Sequence, residues 1–382
     1  MSVTAAQGFR AGAVAAGLKS SGALDLTVVV NDGPSDAAAS VFTSNRAKAH
    51  PVLWSEQVIA DGRARAIVLN SGGANCFTGP EGFQTTHASA EAAAAALDIG
   101  AGDVLVSSTG LIGAMLDRDL VLRGITSAIE SLGDHGHDSA RAIMTTDSVP
   151  KLAVHSENGW TLGGMAKGAG MLAPGLATML VVITTDADLD AASLDDALRV
   201  ACATTFDRLD SDGCMSTNDT VTLLASGAST VQPSLADFTA ALTDLCADLA
   251  RQLQADAEGA SHNIAIEVTG ANSETDAVEV GRSVARSNLF KAAIFGNDPN
   301  WGRVLAAIGT THAAFDPYAV SVSFNGVRVC ANGTPDQAIE MVDLTPRDVH
   351  ILIELFAGES TATILTNDLT HDYVHENSAY SS

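Results

Sequence analysis

Basic residues are scarce in this chain. Of 382 residues, 20 are Lys or Arg and 45 are Asp or Glu, a formal net charge of −25. Such a chain repels phosphate backbones and anionic lipid over long range, which argues against nucleic-acid and membrane partners. Charged residues of both signs reach only 17% of the sequence, against about 25% in an average domain. Hydrophobic residues make up 46%, so the acidity is not that of a disordered chain, which needs low hydrophobicity as well. Aromatics are 4% and glycines number 34, so packing must rest on small side chains. Five cysteines (Cys76, Cys202, Cys214, Cys246, Cys330) are scattered, odd in number and without a CxxC pair. That disfavours a disulfide framework and a zinc site, and points to reduced thiols in a cytoplasmic protein. No apolar run approaches the ~20 residues of a membrane span; the run at 179–183 suits a buried strand. The opening MSVTAAQGFRAGAVAAGLK is interrupted by Arg10 and Gly12 and does not read as a signal peptide. At roughly 100–200 residues per domain, the length suggests two domains, or one large one with a lobe.

Apolar β-rich runs alternate with Ala/Leu-rich helical stretches, a mixed α and β pattern. Residues 26–30, 66–69 and 104–107 read as strands, each running into a turn of Gly, Asn, Ser or Thr. Residues 180–184 read as a central strand, and 264–268, 320–324, 351–355 and 362–365 as later ones. Residues 91–97, 119–132, 194–204 and 235–257 read as helices. Asp195 and Asp196 serve as start signals for the third of these helices and Ser234 for the fourth. No repeat, charge block or Pro-rich linker marks a domain boundary.

Four stretches carry the chemistry. The first is KGAGMLAPGLATMLVVITT, Lys167 to Thr185, where a Gly/Pro segment leads to a small residue and then to Thr178 at the start of an apolar strand. This pattern suits an N-terminal nucleophile, in which self-cleavage frees an α-amine that acts as base for the adjacent hydroxyl. The reference pKa of such an amine, about 7.7–8.0, lies where a base is effective. An ordinary β-branched strand start explains the pattern equally. The second stretch, SSTGLIG (Ser107–Gly113), places a hydroxyl and amides after a strand, as an oxyanion hole requires, or is simply a polar turn. The third, LNSGGANCFTG (Leu69–Gly79), lines a pocket by close backbone approach or packs as a loop. The fourth, IFGNDPNWGR (Ile294–Arg303), reads as a structured turn with Trp301 half buried.

Taken together with AIMTTD (Ala142–Asp147), FDRLDSDGCMSTNDT (Phe206–Thr220) and the C-terminal DLTHDYVHENSAYSS, these motifs resemble the ornithine acetyltransferase family, also called glutamate N-acetyltransferase, of arginine biosynthesis. The resemblance runs in order from QGFRAGAVAAGLK to the last residue. It implies an α/β (α+β) fold, an αββα-type sandwich of the N-terminal-nucleophile kind with a smaller second lobe. It implies self-cleavage between Ala177 and Thr178 into an α chain, residues 1–177, and a β chain, residues 178–382, that together build one catalytic core and assemble as an (αβ)₂ heterotetramer. Thr178 is then the nucleophile, and Thr109 and Gly110 form the oxyanion hole. The substrate-binding residues are Thr145, Lys167, Thr178, Glu258, Asn377 and Ser382.

The implied reaction is ping-pong transfer of acetyl from N-acetylornithine to glutamate through acetyl-Thr178, with no metal and no organic cofactor. Acetyl-CoA is a second donor in a bifunctional member. A net-negative protein needs a local cation to hold an α-carboxylate, and Lys167 supplies one; Glu258 suits the amine of ornithine. For Asn377 a capping or turn role is the competing explanation. The sequence departs from the family pattern at Gly73 (commonly Asn), Cys76-Phe77 (a smaller pair), Ser148 (commonly Thr) and Ser261-His262 (commonly Thr-Lys). The missing Lys removes a cation beside Glu258, and His262 reads as a solvated loop residue rather than a base. A second reading is a self-processing amidohydrolase resembling aminopeptidases of related architecture, with the acetyl group passed to water. A third is a non-enzymatic scaffold, which predicts no cleavage.

Overall fold

The computed structural model describes residues 2–173 and 179–379. Its strands are β1 (Phe9–Val14), β2 (Leu26–Asn31), β3 (Ala38–Phe42), β4 (Ala66–Asn70), β5 (Val104–Ser108), β6 (Lys151–Glu157), β7 (Trp160–Lys167), β8 (Leu180–Thr185), β9 (Thr220–Ala225), β10 (Asn263–Ala271), β11 (Ser321–Phe324), β12 (Val327–Ala331), β13 (Thr334–Pro335), β14 (Asp348–Glu354) and β15 (Ser360–Asn367). Its α-helices are α1 (His50–Val58), α2 (Gly79–Leu97), α3 (Arg118–Glu130), α4 (Gly136–Ala142), α5 (Ala191–Thr204), α6 (Leu235–Ala255), α7 (Glu274–Ala285), α8 (Asn288–Phe295), α9 (Trp301–Ile308) and α10 (His371–Ala379).

Side-chain alternation along the strands builds the layers. A strand sends successive residues to opposite faces, and in β8 Leu180 and Val182 enter one core while Val181 and Ile183 enter another. The first core lies between two sheets. Val29 of β2, Ile67 and Leu69 of β4 and Leu105 of β5 meet Met165 of β7, Leu180, Val182 and Leu224 of β9. The second packs the β3-β9-β8-β7-β6 sheet on α5 and α6, with Phe238 against Trp160 at a ring separation of 5.4 Å. On the far side, Val28, Val68 and Val106 of the β1-β2-β4-β5 sheet pack on Ala90 and Ala93 of α2 and Ile125 of α3. The result is an αββα sandwich. β8 is fully buried, as its unbroken apolar run requires of a strand covered on both faces.

The second lobe is a six-stranded sheet, β13-β12-β11-β14-β10-β15. Ile264, Ile266 and Val268 of β10 and Ile351 and Ile353 of β14 face Val280, Phe290 and Val304 of α7, α8 and α9. β10 and β14 alternate buried with part-exposed residues, so this sheet is covered on one face only. The fourth sequence stretch serves this lobe. Asn300 caps α9 by accepting from Arg303 N–H, and Trp301 packs part-buried on the lobe's core.

The strands read from sequence are present, most of them longer by one to three residues. Two expectations need correction. The helix expected at 91–97 begins at Gly79. The start of α5 is capped by Asp190, which accepts from Ser193 N–H, while Asp195 pairs with Arg199 at 2.7 Å. The β6–β7 hairpin turns on Asn158-Gly159, both with positive φ, the residue pair that two-residue hairpins favour. Among the described residues no helix is long and apolar enough to cross a membrane, and no group of three His, Cys, Asp or Glu is placed to hold a metal.

Candidate active site

Lys167 ends β7, paired across the strands with Leu180 of β8, and is 1% exposed. β8 in turn pairs in parallel with β9, Leu180 opposite Thr220. The edge of the sheet at residue 179 is therefore built by strands from both sides of the 177–178 bond. Met179 is pinned at both ends: its N–H donates to Asp219 Oδ1 at 3.0 Å, and its carbonyl accepts from Thr220 N–H at 3.1 Å.

Thr109 and Gly110 follow β5 at the same end of the neighbouring sheet. Thr109 N–H donates to Asn70 O at 2.9 Å, so the Thr109 amide is occupied. Among the described residues, the Thr109 hydroxyl and the Gly110 amide make no hydrogen bond and face the cleft. Gly110 has φ +128°, and a Cβ there would come within 2.9 Å of the Gly73 backbone, so only glycine suits it. Asn218 braces this loop, donating from Nδ2 to Ala74 O at 2.6 Å and to Ser108 O at 2.8 Å. Gly73, one of the departures, contributes its backbone to this contact. A side chain there would meet Leu116 at 3.3 Å, so space is tight but does not demand glycine.

A third segment brings Thr145. Its N–H donates to Asp147 Oδ2 at 2.9 Å, and its hydroxyl accepts from Lys167 Nζ at 3.1 Å. Asp147 Oδ1 accepts from Gly168 N–H and Lys151 Nζ, both at 2.6 Å, and Lys151 reaches Asp256 at 2.5 Å. One buried carboxylate thus ties the backbones of Thr145 and Gly168 together and sets Thr145 against Lys167. Burial pushes the Asp147 carboxyl up, but the Lys167 and Lys151 charges and its hydrogen bonds outweigh that and hold it below the usual range. Burial pulls the Lys167 ammonium below the ordinary lysine range, opposed by Asp147, Asp219 and Glu258.

The fourth and fifth segments bring Glu258 and Asn377. Asn377, on α10, donates from Nδ2 to Glu258 Oε2 at 3.0 Å. The Glu258 carboxylate lies over Gly170, where a Cβ would come within 2.7 Å of its oxygens. Thr109, Gly110, Thr145, Lys167, Glu258 and Asn377 all line one cavity of about 90 Å³, joined by Thr146, Gly170 and Met171. Two larger cavities adjoin it at Glu258, of about 480 and 270 Å³. Neither of those contains Thr109, Gly110 or Lys167. The remaining expected site residues, Ala177, Thr178 and Ser382, lie outside the described residues.

Sequence reasoning missed Asp147, Lys151, Asn218, Asp219 and Asp256, all of which work by holding backbone or by pairing at a distance. His262 is corrected. It is 6% exposed, not solvated, with Nδ1 2.8 Å from Asp368 Oδ2 and Nε2 3.0 Å from Leu344 O. It faces the second lobe and does not line the small cavity, so its side chain is not the counterpart of a cation beside Glu258. Ser148, another departure, donates its N–H and hydroxyl to Asp256.

The arrangement sets a buried ammonium, a carboxylate with an amide partner, and the Thr109 hydroxyl and Gly110 amide around a small cleft at the end of β7. The ArgJ family model matches residues 10–382. The arginine biosynthesis bifunctional protein ArgJ of Streptomyces avermitilis is 63% identical over 383 residues, spanning all of both chains. The crystal structure of ornithine acetyltransferase from Mycobacterium tuberculosis, complexed with ornithine, is 54% identical, covering 47% of this chain and 96% of that one, with a TM-score of 0.45. The arginine biosynthesis bifunctional protein of Bacillus halodurans is 34% identical, covering 52% of this chain and 97% of that one, with a TM-score of 0.49. With the family pattern matched from residue 10 to the C-terminus and a relative that similar along its whole length, the chain belongs to the ArgJ family.

Proposed function

We propose that this chain is a glutamate N-acetyltransferase of arginine biosynthesis that moves acetyl from N-acetylornithine to glutamate through acetyl-Thr178, after self-cleavage at Ala177–Thr178. The observation that carries the reading is convergence: six expected site residues from five separate segments, 109 to 377, line one cavity. The products of cleavage are residues 1–177 and 178–382, assembled as (αβ)₂ in the cytoplasm.

The chemistry follows from the groups at hand. The freed amine of Thr178 takes the hydroxyl proton, and the oxygen attacks the acetyl carbonyl. The oxyanion is received by the Thr109 hydroxyl and the Gly110 amide, donors that are fixed before the reaction begins. Lys167 holds the substrate α-carboxylate, and its burial makes that charge count for more than it would in water. Glu258, steadied by Asn377, receives the amine of ornithine. Ornithine leaves with the proton from the Thr178 amine. The glutamate amine then attacks the ester and departs as N-acetylglutamate. Dividing one amide exchange into two ester steps lowers the barrier of each. Acetyl-CoA enters as an alternative donor to the same hydroxyl.

The test is ornithine release from N-acetylornithine with and without glutamate. Release that depends on glutamate, with matching N-acetylglutamate, is expected. Full-rate release without glutamate would identify a hydrolase instead. Gly110→Ala probes the oxyanion loop. A Cβ pressed against Gly73 displaces the Gly110 amide, so kcat is expected to fall about 10²–10³-fold with little change in KM. An unchanged kcat in steady-state assays would remove Gly110 from the oxyanion hole.

A further inference from the structure

Glu258 stands where the two larger cavities meet, and their charges differ. The cavity of about 480 Å³ carries Asp256, Glu258, Asp372 and Glu376 against Arg347 and His371. Arg347 is engaged, donating to the carbonyls of Ala255 at 2.6 Å and Ala260 at 3.3 Å. The cavity of about 270 Å³ carries Lys291 and Arg286 opposite Asp212, Glu258 and Asp368.

Two of those acids are already occupied. Asp212 accepts from Met171 N–H at 2.7 Å and Cys214 N–H at 3.1 Å. Asp368 accepts from the Ser261 and His262 amides at 3.0 and 2.9 Å and lies 2.8 Å from His262 Nδ1. Lys291, on α8, is 5% exposed. An ammonium has three protons to donate. Among the described residues Lys291 Nζ donates only to the Ser211 carbonyl. Burial pulls this ammonium below the ordinary lysine range, opposed by Asp212, Asp210 and Asp368. A buried ammonium with protons to spare calls for an acceptor inside the cavity it lines. A carboxylate answers with charge as well as oxygen.

We propose that Lys291 binds the side-chain carboxylate of glutamate, an assignment that rests on the transferase reading above. That reaction passes two amino acids through one cleft. Both carry an α-carboxylate for Lys167. They differ at the far end, where N-acetylornithine has an ammonium and glutamate a carboxylate. Glu258 attracts the first and repels the second. The fork at Glu258 resolves the conflict. The ammonium stays with Glu258 on the acidic side, and the carboxylate turns into the 270 Å³ cavity toward Lys291. Arg286, half-exposed and held through Nε by Asp210 at 2.7 Å, adds a second positive charge to that wall. Lys291 thus sets which acceptor is used; no bond is made or broken at it.

The test compares acceptors on the full-length enzyme: glutamate, and glutamine, which has the same shape without the charge. Wild type is expected to prefer glutamate by about 10²–10³-fold in kcat/KM. Lys291→Met keeps the aliphatic stem and removes the charge. It is expected to lose about 10²-fold for glutamate, mostly in KM, while glutamine changes by less than about 3-fold. Lys291→Gln, which can still donate to the Ser211 carbonyl, makes the same measurement where Lys291→Met does not fold. A folded variant in which both acceptors fall alike has lost a structural group, and overturns the assignment. So does a variant that keeps the wild-type preference, or a wild type that uses glutamine as well as glutamate. Each of these leaves glutamate-dependent transfer intact. Full-rate ornithine release with no acceptor overturns the transferase reading itself, and this inference with it.

Discussion

Thr178→Ala is expected to remain a single chain of 39.0 kDa and to transfer no acetyl group. Wild type is expected to give chains of about 18 and about 21 kDa, because cleavage before residue 178 leaves 177 residues on one side and 205 on the other. Removing the hydroxyl removes the attacking atom of both reactions. The loss in transfer rate should be at least about 10⁴-fold, in the range seen when a covalent nucleophile is deleted. Thr178→Ser retains a hydroxyl and an amine, so it should cleave and turn over slowly. Intact mass and ornithine release, measured on the same preparations, check both statements. An uncut wild-type chain with full activity would refute the Thr178 mechanism.

Lys167→Met is expected to separate binding from cleavage. The side chain is buried, so its charge acts on a substrate carboxylate through little water. Its loss should cost about 3–4 kcal/mol, roughly 10²–10³-fold in kcat/KM for both N-acetylornithine and glutamate. The fold should survive, because Asp147 keeps Lys151 at 2.6 Å and the Gly168 amide. Self-cleavage involves no free carboxylate ligand and should persist in the variant. Normal kinetics for either substrate would show that Lys167 does not hold its carboxylate.

Much of the framework was legible in the sequence, and the reasons are local. β8 is an unbroken apolar run, and its alternation between two cores makes such a run necessary. The expected cleft residues came from motif resemblance, and their meeting in one cavity is a product of the topology. What stayed illegible is non-local or internally disguised. The first half of α2, GPEGFQTTHASA, lacks an apolar stripe, so it gave no helical signal. In the fold Thr85 and Ser89 return their hydroxyls to the carbonyls of Glu81 and Thr85, so these polar groups are buried without cost to the core. His262 was misjudged because its partner, Asp368, lies 106 residues away. Asn218 was missed because its task is to hold the carbonyls of Ala74 and Ser108, and no spacing rule reports that.

β8 lies between β7 and β9, hydrogen-bonded to both along its length. On the proposed cleavage it would belong to the second product chain and β7 to the first. A chain cut at 177–178 therefore shares one sheet between two polypeptides, with a core that neither owns. The uncut chain folds as one molecule, at a rate independent of its concentration. The cut protein, once unfolded, must find its partner again, and its recovery becomes bimolecular. Such a cleavage would act as a ratchet, turning a reversible structure into one whose lifetime is set by the barrier to opening. Refolding yield after denaturation should accordingly rise with protein concentration for the processed enzyme and stay flat for Thr178→Ala.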